Sequence, residues 1–171
     1  VWHRKRGRIM KKYVLLTIVE DNPGVLTRIC QLFTRRSFNL DSVTAGKTEK
    51  EGFTRLTLIT TAEDDFVVDQ ICKQMSKLEE VKKVKVLEKD MSLCKEIAMI
   101  KIKCDNKKKT EIVNLANIFK GTVVDVSKET ITVEMTADDE KLKAFIELVK
   151  EDIVELVTSG YIAMERGNSV L

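Results

Sequence analysis

Glu20-Asp21-Asn22-Pro23-Gly24-Val25-Leu26, answered after a helical stretch by Phe38-Asn39-Leu40-Asp41-Ser42, is the run of residues that decides the fold. An apolar segment at 13–19 enters it with strand-like composition. Asp21 and Asn22 supply turn chemistry, and Pro23 is the only proline in the chain. Its fixed φ and missing N–H suit the first turn of a helix, so the reading starts the helix at Pro23 and runs it to Arg36. Gly24, without a Cβ, lets other groups approach the backbone. Val25, Leu26, Ile29, Cys30 and Phe33 then share one helical face. A strand feeding a glycine turn and a helix aims backbone N–H groups outward, where they and the helix dipole favour an anion such as the carboxylate of a free amino acid. The same pattern also serves as a plain structural joint that binds nothing.

Outward from this stretch the elements repeat in type. Residues 39–45 read as a strand rich in β-branched side chains, 46–52 as a polar connection, and 53–61 as the antiparallel partner. Asp64 and Asp65 open a helix whose face is Val68, Ile71, Cys72, Met75 and Leu78, and 81–87 is a fourth strand. The order βαββαβ gives a ferredoxin-like sandwich, a four-stranded antiparallel sheet with two helices on one face. Residues 88–95 are charged and without period, and read as a linker. A second round follows: a strand at 96–103, a helix at 110–119 ended by Gly121, a hairpin of 122–127 and 130–136 across Lys128-Glu129, a helix at 138–149 and a last strand at 153–157. The fold class is α+β, two tandem ferredoxin-like domains at 10–87 and 96–171.

Composition excludes several functions. With 43% hydrophobic and 33% charged residues and a net charge of only +3, no basic surface for nucleic acid or membrane stands out. No apolar run is long enough to span a bilayer. Cys30, Cys72, Cys94 and Cys104 lack metal-ligand spacing, and Cys30 and Cys72, on the apolar faces of expected helices, read as reduced, buried thiols. The single histidine, His3, lies in a basic stretch at residues 1–9 that reads as a leader or added extension, with Met10 as the natural start. No histidine-dependent catalytic site is available, and no metal site is expected. The acid pairs Asp64-Asp65 and Asp138-Asp139 sit where helix N-termini favour negative charge, which points to capping rather than catalysis. The cytoplasm is the expected location.

Asp21-Asn22-Pro23-Gly24-Val25-Leu26, the helix end Phe33-Thr34-Arg35-Arg36, and Phe38-Asn39-Leu40-Asp41-Ser42-Val43-Thr44 resemble an ACT domain. More closely, they resemble the regulatory (small) subunit of acetohydroxyacid synthase, also called acetolactate synthase. That family typically carries a glycine in an "RGYNI" or "RGFNI" run where this chain reads Arg36-Ser37-Phe38-Asn39-Leu40. Phe119-Lys120-Gly121-Thr122-Val123-Val124-Asp125-Val126 is similar to the family's "FRGKIVDV", and Ser159-Gly160 through Arg166-Gly167 resembles its ending. The resemblance spans about residues 11–168.

The resemblance implies an ACT domain at 10–87 and a non-catalytic subunit with no cofactor of its own. It further implies a large catalytic partner that holds thiamine diphosphate, Mg²⁺ and often FAD. The small subunit raises that partner's activity and confers feedback inhibition by a branched-chain amino acid, usually valine. ACT-like domains pair side by side into a homodimer with effectors between subunits. By that likeness the effector site is Asp21, Asn22, Pro23, Gly24, Val25, Leu26, Asn39 and Leu40. The 22–26 turn would offer N–H groups to the carboxylate, and Asn39 would come from the facing subunit. Asp21 either faces the ligand ammonium or caps the helix, and Val25 and Leu26 either border the ligand or pack the core. A free-standing ACT-domain amino-acid sensor acting on another enzyme is the alternative. An RNA-binding sandwich is a more distant one, since it needs aromatics on an open sheet face.

Overall fold

The computed structural model describes residues 10–88 and 91–171. The expected leader at 1–9, and Lys89-Asp90 of the expected linker, lie outside the described residues. Two compact units emerge: Val1–Leu93 together with Tyr161–Leu171, and Cys94–Gly160.

The first unit follows β1 (Lys11–Glu20), α1 (Val25–Arg35), β2 (Asn39–Lys47), β3 (Phe53–Ala62), α2 (Asp65–Met75) and β4 (Val81–Leu87). Its antiparallel sheet has the order β2-β3-β1-β4. β1 is central and covered on both faces, since Leu15, Leu16 and Thr17 are buried in succession, with Leu15 and Val19 toward one side and Leu16 toward the other. Opposite residues in an antiparallel pair share a face, so the registers Leu15 with Leu58 and Leu16 with Thr57 define two sides. One side packs Leu15, Val19, Leu56 and Leu58 against Val25, Ile29 and Phe33 of α1 and Val68, Ile71 and Met75 of α2. Each fully buried Ile or Phe there contributes about 1.5–3 kcal/mol of transfer free energy.

The second unit takes most of β5 (Ser92–Lys103), then α3 (Asn106–Ile118), β6 (Thr122–Val126), β7 (Thr130–Ala137), α4 (Asp139–Val149), a 3₁₀ turn and β8 (Ile153–Thr158). Its strands order β6-β7-β5-β8. Ile100, Ile102, Val133 and Met135 face Ile112, Ala116, Leu142 and Phe145, with Phe119 edge-on to Phe145 at 5.4 Å between ring centroids. The α+β class and the doubled βαββαβ order agree with the sequence reading.

Several local readings are corrected. The helix expected from Pro23 begins at Val25, because Gly24 takes φ +85, a left-handed conformation that helical residues cannot hold. α3 starts four residues before the expected Thr110. Asp105 caps it by accepting from the Lys108 N–H at 2.8 Å, ahead of the apolar period. Ser92 to Lys95 is strand rather than linker. Gly121 is not the left-handed residue after α3: Lys120 takes φ 54 instead. Gly121 is required for closeness, since a Cβ there would meet Met135 Cγ at 2.9 Å and the Glu134 carbonyl at 3.2 Å. Finally, the segment after Gly160, read with 96–171, groups with the first unit, and it contains a further strand, β9 (Ile162–Glu165).

Candidate functional site

Among the described residues, three of the four α-helices are closed at their N-termini by an aspartate. Asp64 accepts from Val67, Asp105 from Lys108 and Asp138 from Lys141. α1 is closed by Gly24, with no side-chain cap and no acid in its first turn. The 21–24 turn is nevertheless fixed. The Asp21 N–H donates to the Gly52 carbonyl at 2.8 Å, the Asn22 N–H to Glu20 at 2.9 Å, and the Arg28 N–H to Gly24 at 3.0 Å. Around it, the Asn22 side-chain amide donates to Glu20 at 2.8 Å, and Glu20 pairs with Lys82 at 2.5 Å. Arg28 pairs with Glu80, and its Nη1 lies 3.3 Å from where a Gly24 Cβ would stand. Among the described residues the N–H groups of Gly24, Leu26 and Thr27 have no backbone acceptor. The turn therefore presents unpaired N–H donors, which favour a negatively charged group, beside an Arg28 guanidinium already paired with Glu80.

The expected site residues divide. Asp21, Asn22, Pro23 and Gly24 are exposed on this turn. Asp21 does not cap α1. Val25 is core, at 4% exposure, whereas Leu26 is 44% exposed beside the turn. Asn39 opens edge strand β2 opposite Thr61, and its side chain donates to Asp41. Its carbonyl accepts from the Thr60 hydroxyl at 2.5 Å. Leu40 is half-buried and packs against the core. Thr61 aligns with Lys12 at the start of β1, while the turn follows Glu20 at its end. At about 3.4 Å per residue, Asn39 and Gly24 of one chain stand on the order of 25 Å apart along the sheet. One chain does not bring the two halves of the expected site together.

Among the described residues no cluster of three His, Cys, Asp or Glu side chains is placed to hold a metal ion. None of their helices is long and apolar enough to cross a membrane. The strand residues on the helix-free face of the second sheet, Ile97, Met99, Thr132, Glu134 and Val157, include no aromatic ring on which a base could stack.

Comparison with known proteins bears on both units. Residues 15–83 match the acetohydroxyacid synthase small subunit-like ACT domain, and 95–167 match the small subunit of acetolactate synthase. A probable acetolactate synthase small subunit of Methanothermobacter thermautotrophicus is 42% identical over 161 residues, 93% of this chain and 95% of that protein. The acetolactate synthase small subunit of Mycolicibacterium smegmatis is 39% identical, covering 91% of each chain. The crystal structure of the Thermotoga maritima small subunit superposes with a TM-score of 0.85 at 36% identity, covering 93% of this chain and 99% of that one. The chain belongs to the acetolactate synthase small-subunit family. Members of this family are the non-catalytic, regulatory subunit of that enzyme.

Within this small-subunit fold, the serine at the family's usual glycine position has a definite conformation. Ser37 takes φ 57, and its N–H donates to Thr34 while the Phe38 N–H donates to Phe33. This is the six-to-one and five-to-two bonding that closes a helix through a left-handed residue. Lys120 closes α3 in the same way, with its own N–H to Asn117 and the Gly121 N–H to Ala116. Ser37 does not disturb the path into β2, which Asn39 opens.

Sequence reasoning missed Arg28 and Glu80, which flank the turn from α1 and from the loop before β4. It also missed the far face of the first sheet. Leu16 and Ile59 are each 1% exposed, yet neither belongs to the cluster beneath the helices. On that side the Arg55 guanidinium donates to the Ala163 carbonyl at 2.8 Å, and Lys85 pairs with Glu165 at 2.7 Å. The available signal was Leu16 and Ile59 themselves, apolar residues on the alternate face of central strands, which demand cover.

Proposed function

We propose that this chain is the regulatory subunit that activates a thiamine-diphosphate-dependent acetolactate synthase large subunit in the cytoplasm. On this reading it also confers feedback inhibition by a branched-chain amino acid, valine in the first instance. The partner supplies the thiamine diphosphate, Mg²⁺ and FAD chemistry. This chain supplies binding and coupling. The observation that carries the reading is the uncapped start of α1 at Gly24, where the other α-helices among the described residues each carry an aspartate. A carboxylate effector takes the place of that missing acid, held by the free N–H groups of the turn. Leu26, exposed beside it, offers apolar contact to a branched side chain, while Val25 serves the core.

The separation of Gly24 from Asn39 supports a homodimer through the first units. Both can meet one ligand only if Asn39 comes from a second copy, and β2 is an edge strand free to lie against one. Effector binding then shifts the catalytic subunit by its differential affinity for two states of the assembly, a coupling typically of about 1–3 kcal/mol.

The test is acetolactate formation by the reconstituted pair, titrated with valine, beside calorimetry of valine binding to this subunit. Gly24→Asp places a carboxylate where the effector's own would sit, within reach of Arg28. Asn39→Ala removes one amide and is expected to weaken binding by about 1–3 kcal/mol. Both variants are expected to stimulate the partner while responding to valine only weakly or not at all. Unchanged inhibition in both removes this turn from the effector site.

A further inference from the structure

The segment after Gly160 returns to the first unit and is held there at four points. Tyr161 stacks beneath the Lys12 ammonium, 4.3 Å from the ring centroid. The Ala163 carbonyl accepts from Arg55 at 2.8 Å, Glu165 pairs with Lys85 at 2.7 Å, and the Arg166 N–H donates to the Met91 carbonyl at 2.9 Å. Ser169 adds a hydrogen bond to the same Glu165 carboxylate at 2.5 Å. Ala163 is only 8% exposed.

The registers show what this segment crosses. Arg55 stands opposite Ile18 of β1, and Lys85 stands opposite Leu16. Both therefore lie on the side of the sheet away from α1 and α2, on the two strands that flank β1. Between Ala163 and Glu165 the segment passes over β1 from the β3 side to the β4 side, two to four residues before the strand ends at Glu20. β1 is also the strand that feeds the 21–24 turn, and Lys82 on β4 pairs with Glu20 at its end. In the other direction along the chain the segment follows β8 after two residues, Ser159 and Gly160, the glycine at φ +73. One strap is thus clamped across the strand that carries the turn, paired through β9 with β5, and joined by Ser159 and Gly160 to β8.

We infer that residues 161–169 form a coupling strap that transmits effector occupancy at the 21–24 turn to the second unit. The inference rests on the sensing role proposed above. Its physical content is that β1 cannot shift against β3 and β4 without disturbing the Arg55 and Lys85 attachments. The strap passes that disturbance through Gly160 to β8.

The test uses the full-length chain reconstituted with its catalytic partner. Lys85→Glu and Glu165→Lys each break the attachment, and the double exchange restores a pair of opposite sign. Arg55→Met removes the bond to Ala163 without adding charge. Calorimetry is expected to show valine binding to all four proteins within about threefold of the natural chain, with stimulation of the partner retained. The valine concentration for half-inhibition is expected to rise at least about fivefold in the three single variants, the lower end of usual allosteric coupling. The double exchange is expected to recover most of that loss. Hydrogen exchange at 161–169 in the natural chain is expected to change on adding valine. Inhibition unchanged in all three single variants, or a double exchange as impaired as either single one, overturns the coupling role while leaving the sensor intact. Failure of the natural chain to bind valine overturns the sensing reading and the strap's role together.

Discussion

Replacing Ser37 by glycine is expected to stabilise the protein. Ser37 holds φ 57 at the end of α1, in the left-handed region that costs an L side chain about 1–2 kcal/mol. Glycine removes that cost but loses about 0.5–1 kcal/mol through its freer unfolded chain. Ser37 is exposed, so little packing goes with the side chain. The balance is a gain of about 0.5–1 kcal/mol. For a unit of this size unfolding alone, 1 kcal/mol corresponds to about 4–8 °C in Tm; if the whole chain unfolds together, to about 2–4 °C. Urea unfolding followed by circular dichroism measures it, with the midpoint rising at constant slope. Ser37→Val serves as the opposite control, because a branched side chain fits that region worst. Lys120→Gly repeats the experiment in the second unit, and the two gains are expected to add within about 0.5 kcal/mol. A fall in the urea midpoint for both glycine variants would refute the reasoning about left-handed helix ends here.

Two further outcomes follow from local geometry. Gly121→Ala is expected to cost about 1–3 kcal/mol by overpacking, since its Cβ meets Met135, Val133 and the Glu134 carbonyl, and a urea midpoint no lower than that of the natural chain would count against it. The Tyr13 phenol is pushed up to about 12, chiefly by burial and next by its bond to Asp65 at 2.7 Å. Its folded pKa lies above the unfolded value near about 10, so this contribution is fully present below pH ~10 and is lost as pH rises toward 12. Ultraviolet titration should show one tyrosine ionising late, and Asp65→Asn should bring it forward.

Much of this arrangement was legible in the sequence because it rests on patterns with one physical meaning. The period of Val68, Ile71 and Met75 admits only a helix, and the hairpin across Lys128-Glu129 reads directly from its flanking strands. Asp64 and Asp138 were recognisable as caps because each precedes an apolar period. Asp105 was not, because a lysine run separates it from the first apolar residue of α3. The 21–24 turn was legible as a place, though its detail was not. Proline and glycine together mark the joint, but only backbone angles show that Gly24 stands outside the helix. The strap was illegible for a different reason. Its anchors are single polar contacts from Arg55 and Lys85 to residues about 80 to 108 positions away, and local patterns carry no information at that range.

The strap also sets an order of events during synthesis. Most of the first unit precedes the second along the chain, yet the segment that crosses its far sheet face comes after the whole of the second unit. At about 5–20 residues per second, a ribosome takes several seconds to pass from Leu93 to Tyr161. Through that interval β1, β3 and β4 can pair and the helices can dock, but Arg55 and Lys85 have nothing to hold. The unit whose first piece precedes the other is thus completed after it, and its finished form certifies that everything between its two pieces has already been made.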